Sequence, residues 1–254
     1  MVRRWWSIAM RTLGNKAAIV CGIAALVGIA SVVGCVVLAT LLRNRLAIEA
    51  ALRADPAGML FHHDASVPTG RPRLLVLGDS RAADLARQPI PSWTIVNRGI
   101  SGQSSAEVLA RGCRDLVLLE PDRVLLVVGI NDLKSNDRED TVERAAAAID
   151  ELARVAAKLG VALTVVAVWR EGDASDPRRL LLPPDFHDRV ARLNERLRSI
   201  ATAHGASFLP VDFLLNTDGL VSTEFAKDTL HLNDTGNELL AARISSSLPP
   251  TPAR

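Results

Sequence analysis

Four short polar clusters hold the side chains of this chain that could do chemistry: Gly78-Asp79-Ser80, Asn97-Arg98-Gly99, Gly129-Ile130-Asn131-Asp132 and Asp228-Thr229-Leu230-His231. A serine hydroxyl becomes a nucleophile when a base takes its proton and an acid orients that base. Ser80 supplies the hydroxyl and His231 the base. Asp228, three residues earlier, can reach the same imidazole within one turn and fix its tautomer. Gly99 lets a backbone N–H approach a substrate, and Asn131 supplies a side-chain amide donor. With the Ser80 N–H these make three donors for an oxyanion. Each piece has a plainer reading as well. Gly-Asp-Ser is common in turns, Asp79 can cap a helix, and Asn131 and Asp132 can be turn or capping residues. Asp228 and His231 can open a solvated helix, or ligate a metal if a third ligand joins them.

These clusters must be positioned by the elements between them. The apolar runs Arg73–Leu77, Thr94–Asn97, Arg123–Val128, Val161–Val168 and Ser207–Val211 read as five strands. The third has the unbroken apolar character of a strand covered on both faces. Helical patterns alternate with them over 81–87, 104–113, 141–159, 188–204 and 234–246. Such alternation predicts an α/β fold with a parallel sheet between helical layers. In an open sheet of this kind ligands bind beyond the carboxyl ends of the strands, which is where the first three clusters fall.

The set Gly78-Asp79-Ser80, Gly99 within Asn-Arg-Gly-Ile-Ser-Gly, Gly129-x-Asn131-Asp132 and Asp228-x-x-His231 resembles the four blocks of the SGNH (GDSL-type) hydrolase family, in order. The likeness extends over roughly residues 73–245, and Leu232-Asn233-Asp234-Thr235-Gly236 resembles the family's run into its last helix. It implies a three-layer α/β/α sandwich on a five-stranded parallel, flavodoxin-like sheet. It also implies Ser80 as nucleophile, His231 as base, Asp228 as its partner, and an oxyanion hole of Ser80, Gly99 and Asn131, with no metal or organic cofactor. One departure is Arg81, where many members carry an apolar or small residue; it reads as a solvated helix residue, the alternative being a place at the pocket rim that favours an anionic or sugar-like substrate. The Gly-x-Ser-x-Gly elbow of α/β-hydrolases is absent.

Composition narrows the classes further. In 254 residues a net charge of +2 gives no field for gripping nucleic acid, and three cysteines make no disulfide framework. Residues 17–42 carry no charge, and a helix of that length reaches ~39 Å, enough to cross a bilayer core. Arg3, Arg4, Arg11 and Lys16 precede it, and Trp5 and Trp6 suit an interfacial belt. The expected organisation is a cytoplasmic basic segment (1–16), a transmembrane helix (17–42), a connector (43–72), a catalytic domain (73–248) and a tail (249–254). A cleaved signal peptide, or lipidation at Cys35 after Val32-Val33-Gly34, is the competing reading. His62-His63-Asp64 lacks a third spaced ligand and reads as exposed loop. Trp169 and Cys113 read as packing residues, and His187 and His204, with no acid or nucleophile at useful spacing, read as structural or exposed.

The expected function is a single-pass, membrane-anchored serine esterase. Its domain lies outside the cytoplasm and acts on carboxylic, O-acetyl-type esters of an envelope glycan or exopolysaccharide. A polysaccharide O-acetyltransferase and a lipid esterase or lysophospholipase use the same triad, and a non-catalytic glycan-binding module is the third class.

Overall fold

The computed structural model describes residues 26–45, 71–134, 140–172 and 176–248. The chain divides into two units, Met1–Pro56 and Ala57–Arg254.

Among the described residues of the first unit, helix α1 (Leu26–Arg45) has a mean hydropathy of 2.2 and no buried residue. Its hydroxyls turn inward: Ser31 Oγ donates to Val27 O and Thr40 Oγ1 to Val36 O, each at 2.8 Å. Satisfying polar hydrogens within the helix is what an apolar environment demands. The helix is long and apolar enough to cross a membrane, properties that a signal sequence shares. It runs past the expected boundary at Leu42 to Arg45, while residues 17–25 lie outside the described residues. So do most of the expected connector, with His62-His63-Asp64, and the tail after Leu248.

The second unit is built on five strands: β1 (Arg73–Gly78), β2 (Thr94–Gly99), β3 (Arg123–Val127), β4 (Ala162–Val166) and β5 (Ser207–Leu209). They form one sheet in the order β2-β1-β3-β4-β5, every neighbouring pair parallel. This is the flavodoxin-like order, whose reversal between β1 and β3 opens a crevice at their carboxyl ends. The helices are α2 (Ser80–Leu85), α3 (Ser105–Leu119), α4 (Ile130–Leu133), α5 (Thr141–Lys158), α6 (Phe186–Ala203) and α7 (Asp234–Ser247).

Strand alternation divides the core into two layers. Leu75, Leu77, Leu126 and Val165 point to one face, packing with Val108, Leu116, Ile149, Leu152, Leu193 and Leu197 from α3, α5 and α6. Leu74, Val76, Leu125, Val127 and Val166 point to the other, under Ala82 and Leu85 of α2 and Leu240 and Ile244 of α7. The result is the expected three-layer sandwich. Covered on both faces, β1 and β3 are apolar at nearly every position, as their sequence indicated.

Helix starts follow local chemistry. Ser104 and Glu107 form a reciprocal capping box on α3, Asp140 caps α5 and Asn233 caps α7. Two boundaries differ from expectation. α3 continues past Cys113 to Leu119, because Leu116 and Leu119 extend its buried face; it stops at Glu120, in the left-handed region just before Pro121. β2 runs two residues further than expected, to Gly99, with consequences for the site.

Gly78, where β1 ends, has φ +154, and a Cβ there would stand 1.9 Å from the Val127 carbonyl oxygen on the adjacent strand. Val127 is the ladder partner of Gly78, and its backbone cannot yield without parting β1 from β3. Gly78→Ala is therefore expected to cost more than about 3 kcal/mol. Urea denaturation followed by circular dichroism checks this; a loss below 1 kcal/mol would contradict it.

Candidate active site

The loops after β1, β2 and β3 and the segment before α7 meet at the crevice. Ser80 is the first residue of α2, whose N-cap is Asp79: the carboxylate of Asp79 accepts from Arg81 N at 2.9 Å, and its own N–H donates to Val127 O at 3.2 Å. As the first helical residue, Ser80 keeps an N–H with no intrahelical partner.

Ser80 Oγ lies 2.8 Å from His231 Nε2, and His231 Nδ1 lies 3.0 Å from each oxygen of Asp228. Asp228 Oδ1 also accepts the N–H groups of Leu230 and His231, both at 2.8 Å. Partial burial alone would raise the Asp228 pKa, but those two N–H bonds and the adjacent imidazole outweigh it and hold the carboxyl below its usual range. An ionised Asp228 accepts only, so it fixes the proton on Nδ1 and leaves the Nε2 lone pair facing the serine hydroxyl. The structure thus brings together all three residues of the expected triad.

Asn131, in α4, donates one amide hydrogen to Gln103 O at 2.9 Å, which sets its side chain against the loop after β2 and keeps a second hydrogen in reserve. Its neighbour Asp132 serves as an anchor. The carboxylate accepts from Ser105 N (3.0 and 3.2 Å) and Ser105 Oγ (3.0 Å), joining α4 to the start of α3.

Gly99 departs from expectation. It lies inside β2, where successive N–H groups point to opposite sides. The next N–H, of Ile100, pairs with Gly78 O on β1, so that of Gly99 turns to the open sheet edge, where Asn97 Oδ1 accepts it at 2.9 Å. A Cβ on Gly99 would lie 2.1 Å from Ala83 N, so this glycine serves close packing of β2 under α2. Three residues on, Gly102 has φ +83 and open space where a side chain would be, and its N–H makes no hydrogen bond among the described residues. It adjoins Gln103, the residue that Asn131 grips. The motif carries two glycines, and ending the strand at Asn97 made the first look like the loop residue.

Arg81 also differs from its reading as a solvated residue: it is 3% exposed. Its Nε donates to Leu230 O at 3.0 Å and its Nη2 to Trp169 O at 3.2 Å, with the guanidinium 4.1 Å above the Trp169 ring. Burial pushes its pKa down to about 9, against the pull of Asp79 and Asp228, so it stays charged at neutral pH. Trp169 is a packing residue, as expected, and donates Nε1–H to Leu230 O at 3.1 Å.

Arg111, buried in α3, gives Nε to Gln103 Oε1 (2.8 Å), Nη2 to Gly78 O (2.9 Å) and Nη1 to Asp115 (3.3 Å), linking the loops after β1 and β2. Lys134, one turn after Asn131, is a cation that sequence reasoning passed over. Burial lowers its pKa, as does nearby Arg81, while Asp79 and Asp228 raise it. Its position one turn beyond Asn131 was the available signal. His187 and His204 do find acids, through the fold: His187 Nε2 pairs with Glu171 Oε1, and His204 Nε2 with Asp150 Oδ1 at 2.9 Å. Cys113 is a half-buried thiol packed against the core, and burial raises its pKa. Among the described residues no group of three or more His, Cys, Asp or Glu is placed to hold a metal ion.

The sequence matches the model of the GDSL-like Lipase/Acylhydrolase family over residues 71–239. No curated protein matches. Among solved structures, a protein of Streptococcus pneumonia superposes with a TM-score of 0.66 at 21% identity, covering 80% of this chain and 97% of its own. A GDSL-like lipase from Bacteroides thetaiotaomicron gives 0.62 at 22%, covering 75% and 94%. A carbohydrate acetylesterase from Sinorhizobium meliloti gives 0.55 at 18%, covering 69% and 97%. At these identities the structural likeness is one of fold.

Asp79 sets up a test by pH. Burial raises its pKa from 3.8 to about 6, against the pull of Arg81, and its Oδ2 makes no hydrogen bond among the described residues. A raised carboxyl means that the folded state holds more protons than the unfolded one between those values. Its contribution therefore favours folding at low pH, is lost as pH rises from 4 to 6, and stays lost above. The loss is at most about 3 kcal/mol. In Asp79→Asn this component vanishes, so the stability of the variant relative to the parent should rise between pH 4 and 6. Denaturant titrations across that range measure it, and parallel curves for the two proteins would refute it.

Proposed function

The chain belongs to the GDSL-like lipase/acylhydrolase family, and from that footing we propose that it is a membrane-anchored serine ester hydrolase working through an acyl-serine intermediate. The observation that carries the reading is the unbroken hydrogen-bond chain from Ser80 Oγ through His231 to Asp228. His231 Nε2 takes the hydroxyl proton as Ser80 Oγ attacks the ester carbonyl, and Asp228 stabilises the imidazolium. The oxyanion is met by the Ser80 N–H, the second amide hydrogen of Asn131 and the Gly102 N–H, the last replacing Gly99. His231 then protonates the departing alcohol. Water, activated by the same imidazole, releases the acid and restores Ser80.

The substrate class we assign is an O-acetyl ester on a glycan of the cell envelope. Two features support it: α1, which is long and apolar enough to hold the domain at a membrane, and the acetylesterase among the structures of the same fold. The arginines and lysine before residue 17 favour a cytoplasmic N-terminus and a domain outside the cytoplasm.

The full chain, purified in detergent, should hydrolyse p-nitrophenyl acetate in preference to the octanoate and release acetate from an acetylated polysaccharide. Ser80→Ala should lower kcat by at least ~10⁴-fold, and Asp228→Asn by a comparable factor. Asn131→Ala should lose ~10²–10³-fold. Octanoate as the better substrate would move the assignment to lipid esters. Activity that survives Ser80→Ala would refute the mechanism.

A further inference from the structure

Arg81 stands next to the nucleophile in sequence, yet its guanidinium is spent on the loop that carries the base. The Leu230 carbonyl, one residue before His231, accepts from Arg81 Nε and from Trp169 Nε1 at 3.0 and 3.1 Å. Arg81 Nη2 donates to the Trp169 carbonyl at 3.2 Å and the guanidinium lies over the same indole ring, so two of its nitrogens and one face are fixed. The rest of the loop is held from elsewhere. Gly172 N donates to Thr229 O (3.1 Å), Thr229 N to Asp176 Oδ2 (3.0 Å), and Lys227 N to His231 O (2.9 Å). Among these anchors, Arg81 is the one that comes from the helix of the nucleophile itself.

A guanidinium removed from water is costly unless its hydrogen bonds are replaced. An apolar side chain would fill the same space without that cost. Arg81 therefore does something that filling does not: it fixes the distance between two segments far apart in sequence. We propose that Arg81 is a positioning residue, locking the carbonyl that precedes His231 to the helix that begins at Ser80, so that the imidazole is held within hydrogen-bond reach of the serine hydroxyl. The inference rests on Ser80 and His231 acting as nucleophile and base, but its geometry can be read apart from turnover.

The test uses the full chain in detergent as parent, Arg81→Met, Arg81→Lys, and Arg87→Met as a control on a side chain 74% exposed in a surface ion pair. Unfolding temperature, kcat and KM on p-nitrophenyl acetate, and the proton resonance of His231 Nδ1–H, assigned by its loss in His231→Gln, are measured for each. Arg81→Met should fold, keep KM within about 2-fold and lose kcat by ~10–100-fold, as small misplacements of reacting groups do. Its Nδ1–H resonance should broaden or vanish. Lys reaches one carbonyl but lacks the planar fork and the stacking face, so Arg81→Lys should fall between parent and Met. Arg87→Met should match the parent. A folded Arg81→Met or Arg81→Lys with the kcat and resonance of the parent overturns the proposal. So does failure of both to fold, which would assign Arg81 to stability alone. A parent inert toward every ester would refute the hydrolase reading, while the Nδ1–H resonance would still decide the role of Arg81.

Discussion

The contact between Ser80 and His231 spans 151 positions of chain in 2.8 Å, and most of the second unit can be understood as the means of holding it. A hydroxyl and an imidazole gain little net free energy from one hydrogen bond, so they cannot pull the two segments together. The sheet does that. β1 delivers Ser80 to the crevice beside β3, where strand order reverses, and α7 packs on the same layer as α2, bringing its leading loop to the serine. Burial of the strand and helix faces supplies the driving force, and the polar contacts then set distances within what packing has brought near.

Buried charge is the second theme. Arg81, Arg111 and Asp79 all lie within the protein beside the crevice, and burial shifts each toward its neutral form. A wholly apolar interior would avoid that cost. Among the arginines' acceptors are main-chain carbonyls at Gly78, where β1 ends, and at Trp169 and Leu230, in segments that carry or adjoin the site. Loops have no ladder of their own to fix them, and a planar fork with several donors joins two loops where one hydrogen bond would leave a hinge. Asp132 does the same with a carboxylate, tying the segment after β3 to the start of α3.

Much of this was legible in the residues. Unbroken apolar runs announced β1 and β3, helical patterns announced α3, α5, α6 and α7, and three clusters at strand ends with a fourth before the last helix announced the Ser80, His231 and Asp228 set. What misled was local. Ending β2 at Asn97 made Gly99 look like a loop donor. Only the ladder showed that its N–H faces the sheet edge, while the N–H of Gly102 makes no hydrogen bond among the described residues. Arg81 looked like a surface residue because a charged side chain in a short helix usually is one. Its burial depends on Trp169 and Leu230, which come from other parts of the chain.

By itself the sequence determined the order of elements, the two covered faces of the central strands, the apolar helix and the serine, histidine and aspartate that the fold brings together, because each is written in short-range periodicity or a compact motif. The tertiary structure decided that the Gly99 N–H is taken at the sheet edge, where the charges at Arg81, Arg111 and Lys134 are placed, and which acids His187 and His204 meet. Those outcomes are set by the direction of a strand's hydrogen bonds and by contacts between residues tens to more than a hundred positions apart, which no local pattern encodes.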